Sequence, residues 1–259
     1  MLELNKIYNC NCIDGFKMID DCSIDLTVTS PPYDNMRKYK GYEWNFEATA
    51  KELYRVTKDG GVVVWIVGDA TIKGSETGTS FKQALFFKEC GFNLHDTMIY
   101  AKKNPTPQKG NRYQSSFEYM FVFSKGSPRV FNPIKQKKKY IENRKNKQYN
   151  KNKDGEQIIH AYTSTSDEKI IPNIWFYSVG LNNSTRDRDA FKHPAIFPEK
   201  LAEDHILSWS NEGDLIFDPF MGSGTTAKMA KLNNRNFIGF EISEEYCDIA
   251  NKRITQQND

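Results

Sequence analysis

The fold is decided by residues 215–227, whose sequence is LIFDPFMGSGTTA. The first four residues are β-prone, the loop that follows contains Gly222 and Gly224, and a helix is predicted to begin at Thr225. Gly222, Gly224 and Ala227 have the G-x-G-x-x-G/A spacing, in which small residues let backbone N–H groups approach a ligand at a helix N-terminus. The stretch therefore predicts a strand–loop–helix unit of an α/β sheet.

Glu241 supports a nucleotide-like ligand at this loop. It ends the next predicted strand, 19 residues after Gly222, where a carboxylate can accept hydrogen bonds from ribose hydroxyls. Together these features favour an adenosine-type cofactor over a plain strand-to-helix turn. Only about 35 residues follow the loop, so the other strands of a doubly wound sheet must come from the N-terminal part. A nicotinamide dehydrogenase usually carries its glycine loop at the start of the sheet, so this order weighs against one.

The N-terminal part contains suitable strands. Residues 62–67, VVVWIV, are unbroken and apolar, as expected of a strand buried on both faces, and Gly60 and Gly61 are expected to end the helix before it. The alternation of strands and helices is typical of an α/β fold. Strands are predicted at residues 24–29, 62–67, 95–101, 117–123, 215–218 and 236–241, and helices at 44–56, 80–90, 198–209, 225–232 and after Ser243.

The alternation is interrupted from Pro105 to Lys192, where prolines, asparagines and lysines dominate. Residues 135–153 hold nine basic side chains and one acidic one, a charge of +8. Since the chain has a net charge of +3, the remainder sums to −5. A concentrated basic segment suits a polyanionic partner, although a solvated lysine-rich loop explains the charge equally well. So long an irregular region in a compact domain is either disordered or a functional insert.

A second motif lies at residues 29–33, TSPPY, after the strand that begins at Ile24. Ligands of open α/β sheets bind outside the carboxyl ends of strands, so this motif and the glycine loop are expected to face one crevice. The two prolines lack N–H donors, which leaves carbonyl oxygens without a competing amide. Ser30 adds a hydroxyl acceptor and Tyr33 a flat ring. Acceptors beside a stacking surface suit an aromatic ring that bears an exocyclic amine.

Both motifs, in this order along the chain, resemble those of the amino-methylating DNA methyltransferases of the β class. The resemblance includes SPPY at residues 30–33, HPAIFPEKL at 193–201, DPFMGSGT at 218–225 and FEI at 240–242. It implies a Rossmann-like, circularly permuted methyltransferase sheet with S-adenosylmethionine as methyl donor. It also implies a flipped base of double-stranded DNA as acceptor, in a restriction-modification setting.

The resemblance assigns roles to particular residues. Members of the family often carry Asn-Gly-Asp-Cys near the adenine ring, whereas residues 9–12 here read NCNC, so that Asn11 replaces the acid. The segment that contains Phe197 is implied to pack against the methionine end of the cofactor, and Glu241 to bind its ribose. The implied cofactor-binding residues are Asn11, Cys12, Phe197, Pro198, Asp218, Phe220, Gly222, Gly224, Thr225 and Glu241.

The expected catalytic residues are Ser30, Pro31, Pro32 and Tyr33. An exocyclic amine is a poor nucleophile because its lone pair is delocalised into the ring, and acceptors at Ser30 and the Pro31 carbonyl would favour a pyramidal nitrogen. Tyr33 would stack on the flipped base. Within the family, serine before Pro-Pro-Tyr is more often seen in cytosine-N4 enzymes. Cytosine N4 is therefore the expected target, and adenine N6 is the alternative.

Three parts are predicted: residues 1–104 as the catalytic part, 105–192 as a target-recognition insert and 193–259 as the cofactor-binding part. Lysines of the insert would contact phosphates, which gives affinity without sequence readout. Base readout is expected from Asn111, Arg112, Gln114, Arg186 or Arg188. The expected DNA-binding residues of the basic segment are Lys137, Lys138, Lys139, Arg144 and Lys145.

Other classes are less well supported. A nicotinamide-dependent oxidoreductase is favoured only by the glycine loop and Glu241, and a catalytically silent DNA-binding relative is opposed by the intact SPPY motif. The sequence shows no membrane-spanning run, no signal peptide, no disulfide framework and no zinc pattern. We expect a cytoplasmic, nucleoid-associated protein of a prokaryote or phage, a monomer or homodimer without metal, and a cognate endonuclease is left open as a partner.

Overall fold

The computed structural model describes residues 2–32, 44–107, 110–138, 145–163, 166–193 and 195–255. The chain divides into two compact units. The larger one comprises Met1–Asn132 and Asn173–Asp259, and the smaller one comprises Pro133–Pro172.

The described strands and helices follow the alternation that the sequence predicts over most of the larger unit. The strands are β1 Lys6–Asn9, β2 Ile24–Thr29, β3 Thr57–Val67, β4 Thr71–Ile72, β5 Ser75–Glu76, β6 Asn93–Lys102, β7 Phe117–Ser124, β8 Lys135–Lys137, β9 Lys145–Lys151, β10 Gln157–Thr163, β11 Glu168–Ile170, β12 Ile174–Tyr177, β13 Leu215–Asp218 and β14 Asn236–Glu241. The helices are α1 Cys12–Phe16, α2 Phe46–Val56, α3 Thr79–Glu89, α4 Glu199–Trp209, α5 Thr225–Leu232 and α6 Glu244–Thr255, with a 3₁₀ helix at Arg188–Lys192.

The described part of the larger unit contains an eight-stranded sheet with the order β1-β14-β13-β2-β3-β7-β6-β12. Its pairs are parallel except at β7, which runs antiparallel to both β3 and β6. The C-terminal strand β13 lies between β14 and the N-terminal strand β2. The α/β fold and its permuted strand order are therefore confirmed. Because β2 and β13 are parallel neighbours, the two sequence motifs that follow them lie at the same edge of the sheet.

Helices cover both faces of the sheet. On one face α1, α2 and α3 enclose an aromatic core that includes Phe16, Trp65, Phe87, Phe123 and Phe240. On the other face α4 contacts β2, α5 contacts β13 and β14, and α6 contacts β1. All six residues of β2 are buried, as expected of a strand covered on both sides.

The end of α2 differs from the sequence-based expectation. The sequence predicts that Gly60 and Gly61 end that helix, but α2 ends at Val56 and β3 begins at Thr57. Gly60 lies within the strand at a φ of +77°, and its N–H donates to the Lys125 carbonyl at 2.6 Å. The glycine pair therefore lies inside the strand, where one left-handed residue is tolerated.

The region between Pro105 and Lys192 contains regular structure. β12 pairs with β6 as the outer strand of the large sheet, so residues 173–192 belong to the larger unit. The smaller unit contains two antiparallel pairs, β8 with β11 and β9 with β10. It lies within the expected insert at 105–192, and its role in target recognition stays a prediction.

Across the described ranges, no helix is long and apolar enough to cross a membrane. The five cysteines are free thiols. Within the same ranges, no three His, Cys, Asp or Glu side chains are grouped so that they could hold a metal ion.

Candidate functional site

A cleft of about 1600 Å³ opens at the carboxyl edge of the sheet in the larger unit. Both sequence motifs contribute to its wall, as expected from the adjacent carboxyl ends of β2 and β13. Asp218, Gly224 and Pro198 are buried but are not lining residues. The expected site residues that line the cleft are Asn11, Cys12, Ser30, Pro31, Pro32, Phe197, Phe220, Gly222, Thr225 and Glu241.

The two motifs are joined by a buried hydrogen bond. The Thr29 hydroxyl donates to Asp218 Oδ1 at 2.6 Å, and the Phe220 N–H donates to the same oxygen at 3.0 Å. Burial raises the pKa of Asp218 to about 7, although these hydrogen bonds act in the opposite direction. Asp218 thus fixes the start of the glycine loop relative to the strand that precedes Ser30.

The glycine loop requires glycine at both of its glycine positions. Gly222 and Gly224 have φ values of +52° and +81°, a region that side chains disfavour. A Cβ at Gly222 would lie 3.0 Å from His193 Nε2, and one at Gly224 would lie 2.7 Å from the Ala250 Cβ. The loop is therefore packed tightly between His193 on one side and α6 on the other.

Glu241 is held with its carboxylate at the wall of the cleft. Its Oε2 accepts from the Gly222 N–H at 2.8 Å, and its Oε1 accepts from the Ser243 N–H at 2.8 Å. Burial raises the pKa of Glu241, and these two backbone hydrogen bonds act against that rise. Each oxygen has further acceptor capacity, so the carboxylate can receive hydrogen bonds from two neighbouring hydroxyl groups.

Aromatic and polar side chains line the cleft beside Glu241. Trp44 packs edge to face on Phe220 with ring centroids 5.1 Å apart. Asn11 Oδ1 accepts from the Ile13 N–H at 2.9 Å, so this side chain caps α1 while it lines the cleft. Burial raises the pKa of the Cys12 thiol to about 11, which keeps it neutral. A flat apolar ring with polar edges fits these walls.

The segment after β2 reaches the same cleft. Ser30 and Pro32 are half-buried, and Pro31 is buried. Neither proline has a backbone N–H, so Pro31 and Pro32 offer the cleft carbonyl acceptors but no backbone donor. Tyr33 lies outside the described residues, and its predicted stacking role stays a prediction.

Several cleft residues were not expected from the sequence. Asp69, just after β3, accepts from the Ser80 N–H at 2.9 Å and from the Thr77 hydroxyl at 3.2 Å. Lys102 and Glu118 form a 2.6 Å ion pair between β6 and β7. Asp69 follows the run VVVWIV, so its position at a strand end was a usable signal. The ion pair depends on the register of β6 against β7, which no local pattern reveals.

A model of the DNA methylase family, which comprises N6 and N4 methyltransferases, matches residues 24–252. The chain belongs to this DNA methylase family. The methylase resembles M.BamHII, an orphan methyltransferase of Bacillus amyloliquefaciens, with 63% identity over 246 residues, or 91% of this chain and 90% of the relative.

Two solved structures have the same fold. The cytosine-N4-specific PvuII DNA methyltransferase aligns with a TM-score of 0.72 and 23% identity, over 98% of this chain and 87% of that one. The complex of M1.HpyAVI with S-adenosylmethionine aligns with a TM-score of 0.63 and 24% identity, over 97% and 99%. Enzymes of this family take their methyl group from S-adenosylmethionine.

Three of the five candidates for base readout line the cleft of the methylase, namely Asn111, Arg112 and Gln114. Arg112 is 3.5 Å from Glu76 Oε1 and donates to the Gly74 carbonyl, so the β4–β5 hairpin supports it. Arg186 and Arg188 are not lining residues. Their assignment to base readout stays a prediction.

The basic segment lies in the smaller unit. Lys137 is exposed at the end of β8, and Lys138 Nζ donates to the Ser166 carbonyl at 2.6 Å. Lys145 begins β9, whereas Lys139 and Arg144 lie outside the described residues. Their contact with DNA stays a prediction.

Proposed function

We propose that this methylase transfers a methyl group from S-adenosylmethionine to the exocyclic N4 amine of a flipped cytosine in double-stranded DNA. The observation that carries the proposal is the shared cleft, which is lined by Ser30 and Pro31 as well as by Gly222 and Glu241. The cleft therefore contains two acceptors for an amine, at Ser30 and Pro31, and a carboxylate for a ribose, at Glu241.

The residues present fit the cofactor. The Glu241 carboxylate lines the cleft, is oriented by two backbone N–H groups and can accept from the two ribose hydroxyls. Phe220 and Trp44 offer ring faces and edges for the adenine, and Asn11 offers an amide. S-adenosylmethionine supplies an activated methyl group on its sulfonium when bound. The chain supplies the positioning that brings the acceptor into line with this group.

The target amine is activated by the turn after β2. The Ser30 hydroxyl oxygen and the Pro31 carbonyl oxygen would accept hydrogen bonds from its two N–H groups and favour a pyramidal nitrogen with an available lone pair. Tyr33 would stack on the flipped base and offset an unstacking cost of a few kcal/mol. No cysteine nucleophile is required, in keeping with the raised thiol pKa values of Cys10 and Cys12.

The choice of cytosine rests on Ser30. Serine before Pro-Pro-Tyr is more often found in the family members that act on cytosine N4. The family as a whole covers both N4 and N6 amines. Adenine N6 is therefore the outcome that would overturn this part of the proposal.

The experiment is nucleoside analysis of DNA methylated by the purified protein. DNA without prior methylation is incubated with S-adenosylmethionine, digested to nucleosides and analysed by mass spectrometry. We expect N4-methyl-2′-deoxycytidine as the product, and N6-methyl-2′-deoxyadenosine alone would overturn the base assignment. A Tyr33→Ala variant should lose methylation but keep DNA binding. Equal product from both proteins would contradict the role of Tyr33, and no product from wild type would favour a silent DNA-binding relative.

DNA recognition is assigned to both units. The smaller unit would bind phosphates through its lysines, and Asn111, Arg112 and Gln114 would contact bases near the target. The cytoplasm is the place where such a substrate is found in a bacterium. A cognate endonuclease and the state of monomer or homodimer stay predictions.

A further inference from the structure

Four ionisable side chains beside the glycine loop form a charged cluster, namely the buried Lys228 and Arg253 and the half-buried Asp187 and Glu199. Lys228 and Arg253 are only 3% and 1% exposed, and Asp187 and Glu199 are 11% and 20% exposed. They come from distant parts of the chain, namely the residue before the 3₁₀ helix, the first residue of α4, the middle of α5 and the last turns of α6.

Two cations and two anions neutralise one another in the charged cluster. Lys228 Nζ lies 2.6 Å from Asp187 Oδ2 and 3.0 Å from Glu199 Oε1. Arg253 Nε lies 3.0 Å from Asp187 Oδ2, and its Nη2 lies 2.7 Å from Glu199 Oε1. Each carboxylate is therefore bound by both cations. Burial would raise the pKa of Asp187, but the hydrogen bonds from Lys228 and Arg253 outweigh it and hold that pKa below its usual range.

Arg253 differs from Lys228 in that it also binds the glycine loop. Its Nη1 donates to the Ser223 carbonyl at 2.5 Å, to the Ser223 hydroxyl at 3.0 Å and to Thr225 Oγ1 at 3.3 Å. The side chain of Lys228 makes no hydrogen bond to the loop within the described part of the chain. Since Ser223 and Thr225 line the cleft, the hydrogen bonds of Arg253 support this part of the cleft wall.

Stability alone is a weak reason for such a cluster. Burying charges costs free energy, and replacing a buried ion pair by well-packed apolar residues is often neutral or stabilising. The planar guanidinium has five N–H donors in fixed directions, so that one side chain can hold two carboxylates and a loop at set angles. A lysine ammonium lacks that fixed geometry.

We propose that Arg253 is a positioning residue for the cofactor, which holds Ser223 and Thr225 in place while Asp187 and Glu199 fix the guanidinium. This proposal rests on the proposed function, because it requires that S-adenosylmethionine binds in the cleft. Arg253 acts through the loop and does not touch the reacting atoms. The consequence is that cofactor affinity depends on Arg253 and is nearly independent of Lys228.

The test compares three variants of the full chain: Arg253→Met, Arg253→Lys and Lys228→Met. Arg253→Met and Lys228→Met each remove one buried cation from the same two carboxylates, so both should lower the melting temperature. Arg253→Lys keeps the charge but cannot reach both carboxylates and the loop together. The dissociation constant of S-adenosylmethionine is measured by calorimetry, and KM for the cofactor and kcat by methylation assays at saturating DNA.

We expect a dissociation constant at least tenfold higher for Arg253→Met and for Arg253→Lys, and within threefold of wild type for Lys228→Met. Arg253→Lys should recover much of the melting temperature without recovering affinity, and its KM should rise more than its kcat falls. Equal loss of affinity in Arg253→Met and Lys228→Met, or wild-type affinity in Arg253→Lys, would overturn the proposal. If Arg253→Met does not fold, Arg253→Lys decides alone. Failure of wild type to bind S-adenosylmethionine would refute the proposed function instead.

Discussion

Gly224 shows at the level of one residue why the glycine loop cannot carry a side chain there. Its φ of +81° nearly equals the +82° of Gly213, which lies in the turn before β13. A Cβ at Gly213 would meet no heavy atom within 4 Å, whereas one at Gly224 would lie 2.7 Å from the Ala250 Cβ. Comparison of the two glycines separates backbone strain from steric crowding.

We therefore predict that Gly224→Ala destabilises the protein more than Gly213→Ala does. Both substitutions force alanine into the left-handed region, at a cost of about 1 kcal/mol. Crowding against α6 should add about 1–3 kcal/mol at Gly224 only. The free energy of unfolding is measured by urea denaturation. Equal decreases in the free energy of unfolding of the two variants would mean that α6 shifts to accommodate the added methyl group.

Asp218 predicts a pH dependence of stability. Its pKa is about 7 in the folded protein, where burial disfavours the carboxylate, and about 3.9 in an unfolded chain. Between these values the folded state binds more protons than the unfolded state, so this group's contribution to stability falls as pH rises. Asp218→Asn removes that loss. The free energy of unfolding of the Asp218→Asn variant, minus that of wild type, should therefore be higher at pH 8 than at pH 5.

Asp25→Asn is the matched control. Burial would raise the pKa of Asp25, but Lys58, the Leu215 N–H and Arg129 together lower it. A carboxyl group with a lowered pKa titrates below pH 5. The effect of Asp25→Asn on the free energy of unfolding should therefore be the same at pH 5 and pH 8. Denaturation curves at both pH values check the two variants. An Asp218→Asn effect that does not change with pH would contradict the neutral carboxyl group.

At the scale of elements, the local sequence predicted much of the larger unit. α5 and β14 have the bounds that the glycine loop and its neighbours predicted, Thr225–Leu232 and Asn236–Glu241. β12 was missed because an apolar run of four residues is too short to distinguish an outer strand from a loop. The start of β3 was misplaced because Gly60 is compatible with a helix end as well as with a strand.

The candidate site was predictable to a similar degree. Ser30, Phe220 and Glu241 lie in motifs whose spacing is local, and the sheet brings them to one cleft. The contacts of Asp187 with Arg253 and of Lys102 with Glu118 join residues far apart in sequence, or depend on strand register. Neither kind of contact leaves a periodic signal, so the structure was needed to find both.

The basic segment of the smaller unit predicts a salt dependence of DNA binding. Replacing Lys137, Lys138 and Lys139 together by alanine should weaken binding to all DNA sequences, since phosphate contacts carry no sequence information. The slope of log affinity against log salt should become shallower by about 0.9 for each phosphate that the variant no longer neutralises. Filter binding of a specific and an unrelated duplex at salt concentrations between about 50 and 200 mM measures both quantities.

A triple variant of the larger unit provides the control. Lys88, Lys231 and Lys252 lie in the last turns of α3, α5 and α6. None of these three lysines lines the cleft, and the helices that carry them run back from its edge of the sheet, so they should not contact the DNA. Replacing all three by alanine should leave the salt slope unchanged. If log affinity falls with log salt equally steeply in both triple variants, the basic segment contributes only to solubility.

For the whole molecule, the larger unit brings segments from both ends of the chain to one cleft. Asn11 and Ser30 precede the smaller unit in sequence, and Glu241 follows it. A ligand in this cleft contacts both parts of the larger unit and should stabilise them together. Unfolding of the larger unit therefore reports directly which cofactor the cleft accepts.

We predict that S-adenosylmethionine at about 100 times its dissociation constant stabilises the protein by about 2.7 kcal/mol, because it binds only the folded state. For a unit of this size the melting temperature should rise by about 5–10 °C. NAD⁺ at the same concentration should leave it unchanged, since the methylase motifs lack the second half of a dinucleotide site. In Glu241→Gln the shift should shrink, because a neutral amide accepts ribose hydroxyls less strongly than a carboxylate does. Differential scanning fluorimetry measures all three cases, and a shift with NAD⁺ that equals the shift with S-adenosylmethionine would refute this assignment of the cleft.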